Sequence, residues 1–164
     1  MESKLKHWAI AHKLYLMMFG LIAIFGYLDY KQLLTFRTLN SDTAWALYNQ
    51  FAGPSFWILW VIMIAIPATV YYFFTKDKSE SIGIFAAGLI LLSTGLEDIF
   101  YFLFSGLKMD SCMAWFNELG APVAWYSTKI LHETCVSPTA LISFTMIGII
   151  ASYLLFDYMR KEGW

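Results

Sequence analysis

Glu97 and Asp98 stand side by side inside a long apolar run, Ile82 to Phe104, and any chemistry of this chain starts from them. A charged side chain at the centre of a bilayer costs about 3 kcal/mol on insertion scales. Two adjacent carboxylates in such a run therefore need a proton, water or a partner. Placed on a helical wheel at 100° per residue, Ser93, Thr94, Glu97, Asp98 and Tyr101 share one face about 140° wide. Leu96, Ile99, Phe100, Phe102 and Leu103 cover the remainder. A single polar stripe on an apolar helix is expected to face the inside of a bundle. Glu97 is closer in sequence to Phe104 than to Ile82, which sets the pair in one half of the membrane.

Three kinds of chemistry fit these residue types. The first is a metal site: Glu97, Asp98, His132 and Glu133 are the ligand types that zinc, iron or manganese takes. The chain has no H-E-x-x-H, no E-x-x-H and no cysteine pair at metal spacing, and neighbours on a helix point about 100° apart. The second is acid–base work. A buried carboxylate holds its proton more tightly than an exposed one, and a protonated acid beside an ionised base could isomerise, hydrate or cyclise a lipid-like or isoprenoid substrate. The catalytic candidates are Glu97, Asp98, Tyr101 and His132, with Asp29, Ser93, Thr94 and Glu118 as supporting polar groups. The third is a proton or cation pathway, for which intramembrane carboxylates are typical. Four spans leave little room for two gates, so that reading needs a homo-oligomer. The structural alternative is a polar clasp, in which Glu97 and Asp98 bond to Lys129, Arg37 or tyrosine hydroxyls. A non-enzymatic subunit of a larger membrane complex is the remaining class.

The run Glu97-Asp98-x-x-Tyr101-Phe102 resembles the acidic-pair motif of the integral-membrane lycopene cyclases. The likeness covers 97–102 alone and lacks the proline that usually precedes that pair, and no assignment rests on it.

The elements that must position these residues follow from composition. The 164 residues are 59% hydrophobic and only 14% charged, against roughly 25% charged in soluble domains. This is the composition of an integral membrane protein. A single all-α membrane domain is expected over 1–164, with four transmembrane helices in an antiparallel bundle. The spans are predicted at about 10–29, 56–74, 82–104 and 137–158. Segments 30–55 and 105–136 are predicted to form an outer cap of short helices. The first span is expected to be retained, being too apolar and long for a cleaved leader. Asp29–Tyr30–Lys31 is read as its polar collar, and Gly20 and Gly26 as points of close helix approach. Pro67 should kink the second span. Short helices are predicted over Ser41–Ala52, Ser111–Leu119 (capped by Asp110) and Val123–Thr134. Ser137–Pro138 is the start of the last span, and Gly148 with Ser152 is its small-residue packing face.

Lys4, Lys6, Lys13, Lys76, Lys78, Arg160 and Lys161 outnumber Lys31, Arg37, Lys108 and Lys129 on the opposite side. Both termini are therefore expected in the cytoplasm. The two long loops then lie outside, where Cys112 and Cys135, the two cysteines of the chain, meet an oxidising compartment and can pair. Asp29, Glu118, Asp110, His132 and Glu133 fall on the same side as the acidic pair. His7 and His12 lie at the other end, so no haem is expected. No Walker sequence, dinucleotide glycine motif or serine elbow occurs, and a net charge of −1 gives no footprint for nucleic acid.

Overall fold

The computed structural model describes residues 2–38, 58, 60–118 and 120–162. They are helical almost throughout: α1 (Glu2–Thr38), α2 (Trp60–Thr75), α3 (Lys78–Ser93), α4 (Leu96–Ser105), α5 (Trp115–Glu118), α6 (Pro122–Lys129) and α7 (Pro138–Glu162). Two helices are long and apolar enough to cross a membrane, His12–Lys31 within α1 and Pro138–Lys161 within α7. Helices α3 and α4 are together long and apolar enough for a third if the pair counts as one span; they are bent by 57° where they meet. Helix α2 is apolar but shorter. The short helix expected over Ser41–Ala52 lies outside the described residues.

Helix α1 does not end at the Asp29–Lys31 collar. Between Leu28 and Thr38 there is neither glycine nor proline, and the helix runs on through polar residues that tolerate it. At about 1.5 Å per residue its 37 residues reach roughly 55 Å, well beyond a hydrocarbon core of about 30 Å. Helix α2 passes through Pro67 unbroken.

Helices α3 and α7 run antiparallel and are tied at both ends. Ser79 donates to the Met159 carbonyl at one end. Thr145 donates to the Thr94 carbonyl at 2.7 Å at the other. Between them Gly148 packs directly on Thr94, and Gly83 faces Met159 and Phe156. Helix α1 crosses this pair where Tyr15 Oη lies 2.7 Å from Ser152 Oγ. Gly148 and Ser152 thus serve two neighbours, α3 and α1. Helices α2 and α3 form a hairpin, closed by Ser81 donating to the Ala68 carbonyl and by Tyr71 donating to Glu80. Phe25 of α1 stacks edge-on against Trp60 of α2 at 4.2 Å between ring centres. These contacts surround one apolar core, in which Met18, Ile22, Ile64, Leu91 and Phe156 are almost fully buried.

A second core joins the segment expected to form the cap to α4 and α7 through Phe102, Met113, Phe116, Val136 and Leu141. The cap is less helical than its sequence suggests. Instead of opening a helix at Ser111, the chain is extended at Cys112–Met113, where Met113 N donates to the Val136 carbonyl at 2.9 Å. Cys112 and Cys135 flank this bridge and are paired as a disulfide, with Cα atoms 5.5 Å apart. Helix α6 stops at Lys129, not Thr134, because the chain turns back through His132 in a left-handed conformation, φ 58°. Ser137 begins α7 as expected, accepting from Ala140 N at 3.1 Å, with Pro138 in the first helical position.

Candidate functional site

The apolar run 82–104 is not one helix, and this changes the site. Ser93 and Thr94 do not continue a polar stripe. Their hydroxyls donate back to the Ile90 carbonyl at 3.0 and 2.9 Å, the local competition by which serine and threonine loosen a helix end. Thr94 caps α3, and Gly95 follows at φ 82°, a left-handed conformation that glycine adopts without the penalty a side chain brings. Helix α4 then restarts at Leu96, with Glu97 and Asp98 in its first turn. Unpaired N–H groups and the helix dipole favour negative charge there, by about 0.3–1 kcal/mol for each carboxylate. The break therefore offsets part of the cost of placing two acids in an apolar run.

Asp29 of α1 completes the group. Gly26, nearly a turn before it, is packed on α4 so closely that a Cβ would lie 2.7 Å from the Glu97 carbonyl oxygen and 2.9 Å from Tyr101 N. That approach brings Asp29 within range of charge interaction with both Glu97 and Asp98. All three side chains are partly buried. They lie at the junction of the two cores, with Leu96 in the first and Phe102 in the second. Aromatic rings collar the same level: Tyr30 meets Tyr101 at 6.2 Å and Tyr27 meets Phe104 at 5.8 Å, both edge-on. The Lys31 ammonium sits above Tyr27 and Tyr30, 5.6 and 5.8 Å from the ring centres.

Other expected members of the site stand apart from it. His132 is exposed in its left-handed turn. Glu133 holds the cap together, accepting from Ser127 Oγ at 2.8 Å and from Ser137 Oγ at 3.0 Å. The quartet Glu97, Asp98, His132 and Glu133 is thus not assembled as a metal centre. Among the described residues no group of three or more histidine, cysteine, aspartate or glutamate side chains is arranged to hold a metal ion. Nor does a basic side chain reach ion-pair distance of Glu97 or Asp98 among them; the ion pairs there join Asp157 to Arg160 and Lys161. Lys129 is exposed on α6 and Asp110 in the loop before the cap. Glu118 ends α5; its side chain and that of Arg37 lie outside the described residues.

Sequence reasoning missed Thr145. It is buried in α7, and its hydroxyl bonds across the helix break instead of along its own helix. Its signal was spacing: Thr145, Gly148 and Ser152 recur at three and four residues on one face. Glu80, between the second and third predicted spans, was missed as well. It is a buried acid bonded to Tyr71.

Compared with models of protein families, with curated proteins and with solved structures, the chain matches none.

Proposed function

We propose that this chain is an integral membrane protein whose Asp29–Glu97–Asp98 group is an acid–base site in the outer half of the bilayer. Helices α1, α2, α3–α4 and α7 are its four spans, arranged as an antiparallel bundle. Both termini lie in the cytoplasm, where the basic residues are more numerous, and the disulfide-tied cap lies outside. The observation that carries this reading is a break in an apolar run that opens a new helix on Glu97 and Asp98, closely packed against α1 at Gly26, one turn before Asp29. Three like charges in a poorly solvated place cannot all persist without compensation. A proton needs one carboxylate, whereas a divalent metal needs several ligands converging on a point. Shared protons are therefore the economical answer, and they leave an acid beside a base.

Such a pair protonates one atom of a ligand and deprotonates another. Helix α4 turns Leu103 and Phe104 to the outer surface within two turns of the acids. A molecule arriving from the bilayer along this face is apolar, which makes a lipid-like ligand the substrate class. Tyr101 and Tyr30 would bound it, and Asp29 would set the charge state of the pair.

A lipid-soluble carbodiimide tests this reading, since it adds to protonated carboxyl groups in apolar surroundings. Peptide mapping should place the adduct on Glu97 or Asp98, and Glu97→Gln with Asp98→Asn should abolish it. No adduct across the pH range, or a stoichiometric metal in elemental analysis that is lost on Glu97→Gln, would overturn it.

A further inference from the structure

Helix α6 has two unlike faces. Val123, Ala124 and Ser127 are buried on one. Pro122, Trp125 and Lys129 follow at helical spacing on the other, and all three are exposed. Trp125 is 60% exposed, and Ile130 and Leu131, just past the helix, are exposed as well. Large apolar side chains gathered around one lysine mark a contact surface. What covers it follows from where α6 lies. Its buried side packs on the first two turns of α7: Val123 and Ala124 share a core with Ala140 and Leu141, and Tyr126 stacks on Phe144 at 5.0 Å between ring centres. The apolar stretch of α7 has 24 residues and reaches about 36 Å, against a hydrocarbon core of about 30 Å. Phe144 lies about 9 Å along it from Pro138, and so inside the core edge of a centred span. Ile142 and Met146, on the adjoining face of α7, are exposed, as lipid-facing residues of a span are. Helix α6 therefore lies beside this helix, not above it, and its outward face stands at the level where a bilayer begins.

We infer that α6 is an interfacial helix whose outward face is covered by the phospholipid bilayer, with Trp125 among the glycerol and carbonyl groups and Lys129 at the phosphates. An indole ring favours that level because its body is apolar and its N–H finds acceptors there. A lysine stem lies along apolar surface while its ammonium reaches anionic oxygen, so lipid phosphates match the one charge on this face. A short helix with one side on protein and the other in the headgroup boundary is the in-plane arrangement of interfacial helices. The inference rests on the reading of α7 as a span and is independent of the acid–base site.

The test uses the full chain in phosphatidylcholine nanodiscs, with the photo-crosslinker p-benzoylphenylalanine in place of Trp125 or, separately, of Ile130. Irradiation and mass spectrometry should find phospholipid joined to each position. Fluorescence gives a second measurement that holds even where a crosslinker variant fails to fold. The emission lost in Trp125→Phe should be quenched by phospholipid brominated in its acyl chains and spared by iodide in the water. Lipid adducts at neither position, a crosslink to a second copy of the chain, or Trp125 emission quenched by iodide and not by brominated lipid overturns the inference. Carbodiimide labelling of the wild-type chain in the same nanodiscs separates the two readings. Labelling without lipid adducts refutes the interfacial helix alone. Lipid adducts without labelling support the interfacial helix and refute the acid–base reading.

Discussion

Replacing Gly26 by alanine should separate the two helices that form the site. The new Cβ would lie 2.7 Å from the Glu97 carbonyl oxygen, 2.8 Å from Phe100 Cβ and 2.9 Å from Tyr101 N. Two of these atoms belong to the α4 backbone, so no change of rotamer relieves them. Restoring ordinary contact at about 3.5–4.0 Å moves α4 away from α1 by roughly 1 Å. Overpacking of this kind costs about 1–3 kcal/mol, and alanine returns about 0.5–1 kcal/mol of helix propensity. The expected net loss is about 1–2 kcal/mol. Gly20, in the same helix, is the control. Nothing lies within 4 Å of a Cβ there, so Gly20→Ala should be neutral or stabilising by up to about 1 kcal/mol. Unfolding of both variants in mixed micelles of rising denaturing-detergent fraction measures the difference. If Gly26→Ala is as stable as Gly20→Ala, the close α1–α4 approach is refuted, and with it the placement of Asp29 beside the acidic pair.

Three further outcomes probe the cap. Replacing Cys112 and Cys135 by alanine opens a cross-link spanning 23 positions and should cost about 3 kcal/mol, read as the difference between unfolding with and without reductant. Glu133→Ala should lose about 1.5–3 kcal/mol, because it removes an ionisable acceptor from two hydroxyls, those of Ser127 and Ser137; Tm reports it. His132→Gly, one residue away, should raise stability by about 1 kcal/mol, since it relieves a left-handed backbone at φ 58°; denaturant titration checks the sign.

The membrane character and the ends of α7 were legible because they depend on composition and on local capping. Ser137–Pro138 is a helix start in any context, and the basic residues near Arg160 suit a helix end. The cysteine pair was legible because both cysteines fall in one loop. The bend between α3 and α4 was written in the sequence but overridden by apolarity. Ser93-Thr94-Gly95 is a helix stop, and Leu96-Glu97-Asp98 places acids where a new helix begins. A continuous hydrophobic run hid both signals. The cap helices were overextended because the Met113–Val136 bridge and the His132 turn are set by tertiary contacts, which no local pattern encodes. Convergence of polar groups on Glu97 and Asp98 was half legible. Asp29 comes near because Gly26 lets α1 approach α4, whereas Glu133 bonds within the cap and His132 is exposed in its turn. Thr145 was legible only as one of the small residues on the Gly148–Ser152 face; its bond was not, because the partner is a backbone carbonyl freed by the break.

The central claim is that Asp29, Glu97 and Asp98 share protons as one group. Infrared difference spectra of the protein in lipid, with carbon-13 in the aspartate and glutamate carboxyls, measure it most directly. The account predicts a protonated-carboxyl band that responds to pH, that is lost in Glu97→Gln or Asp98→Asn, and that changes in Asp29→Asn. A spectrum containing only ionised carboxylates, or a band untouched by all three substitutions, would contradict it.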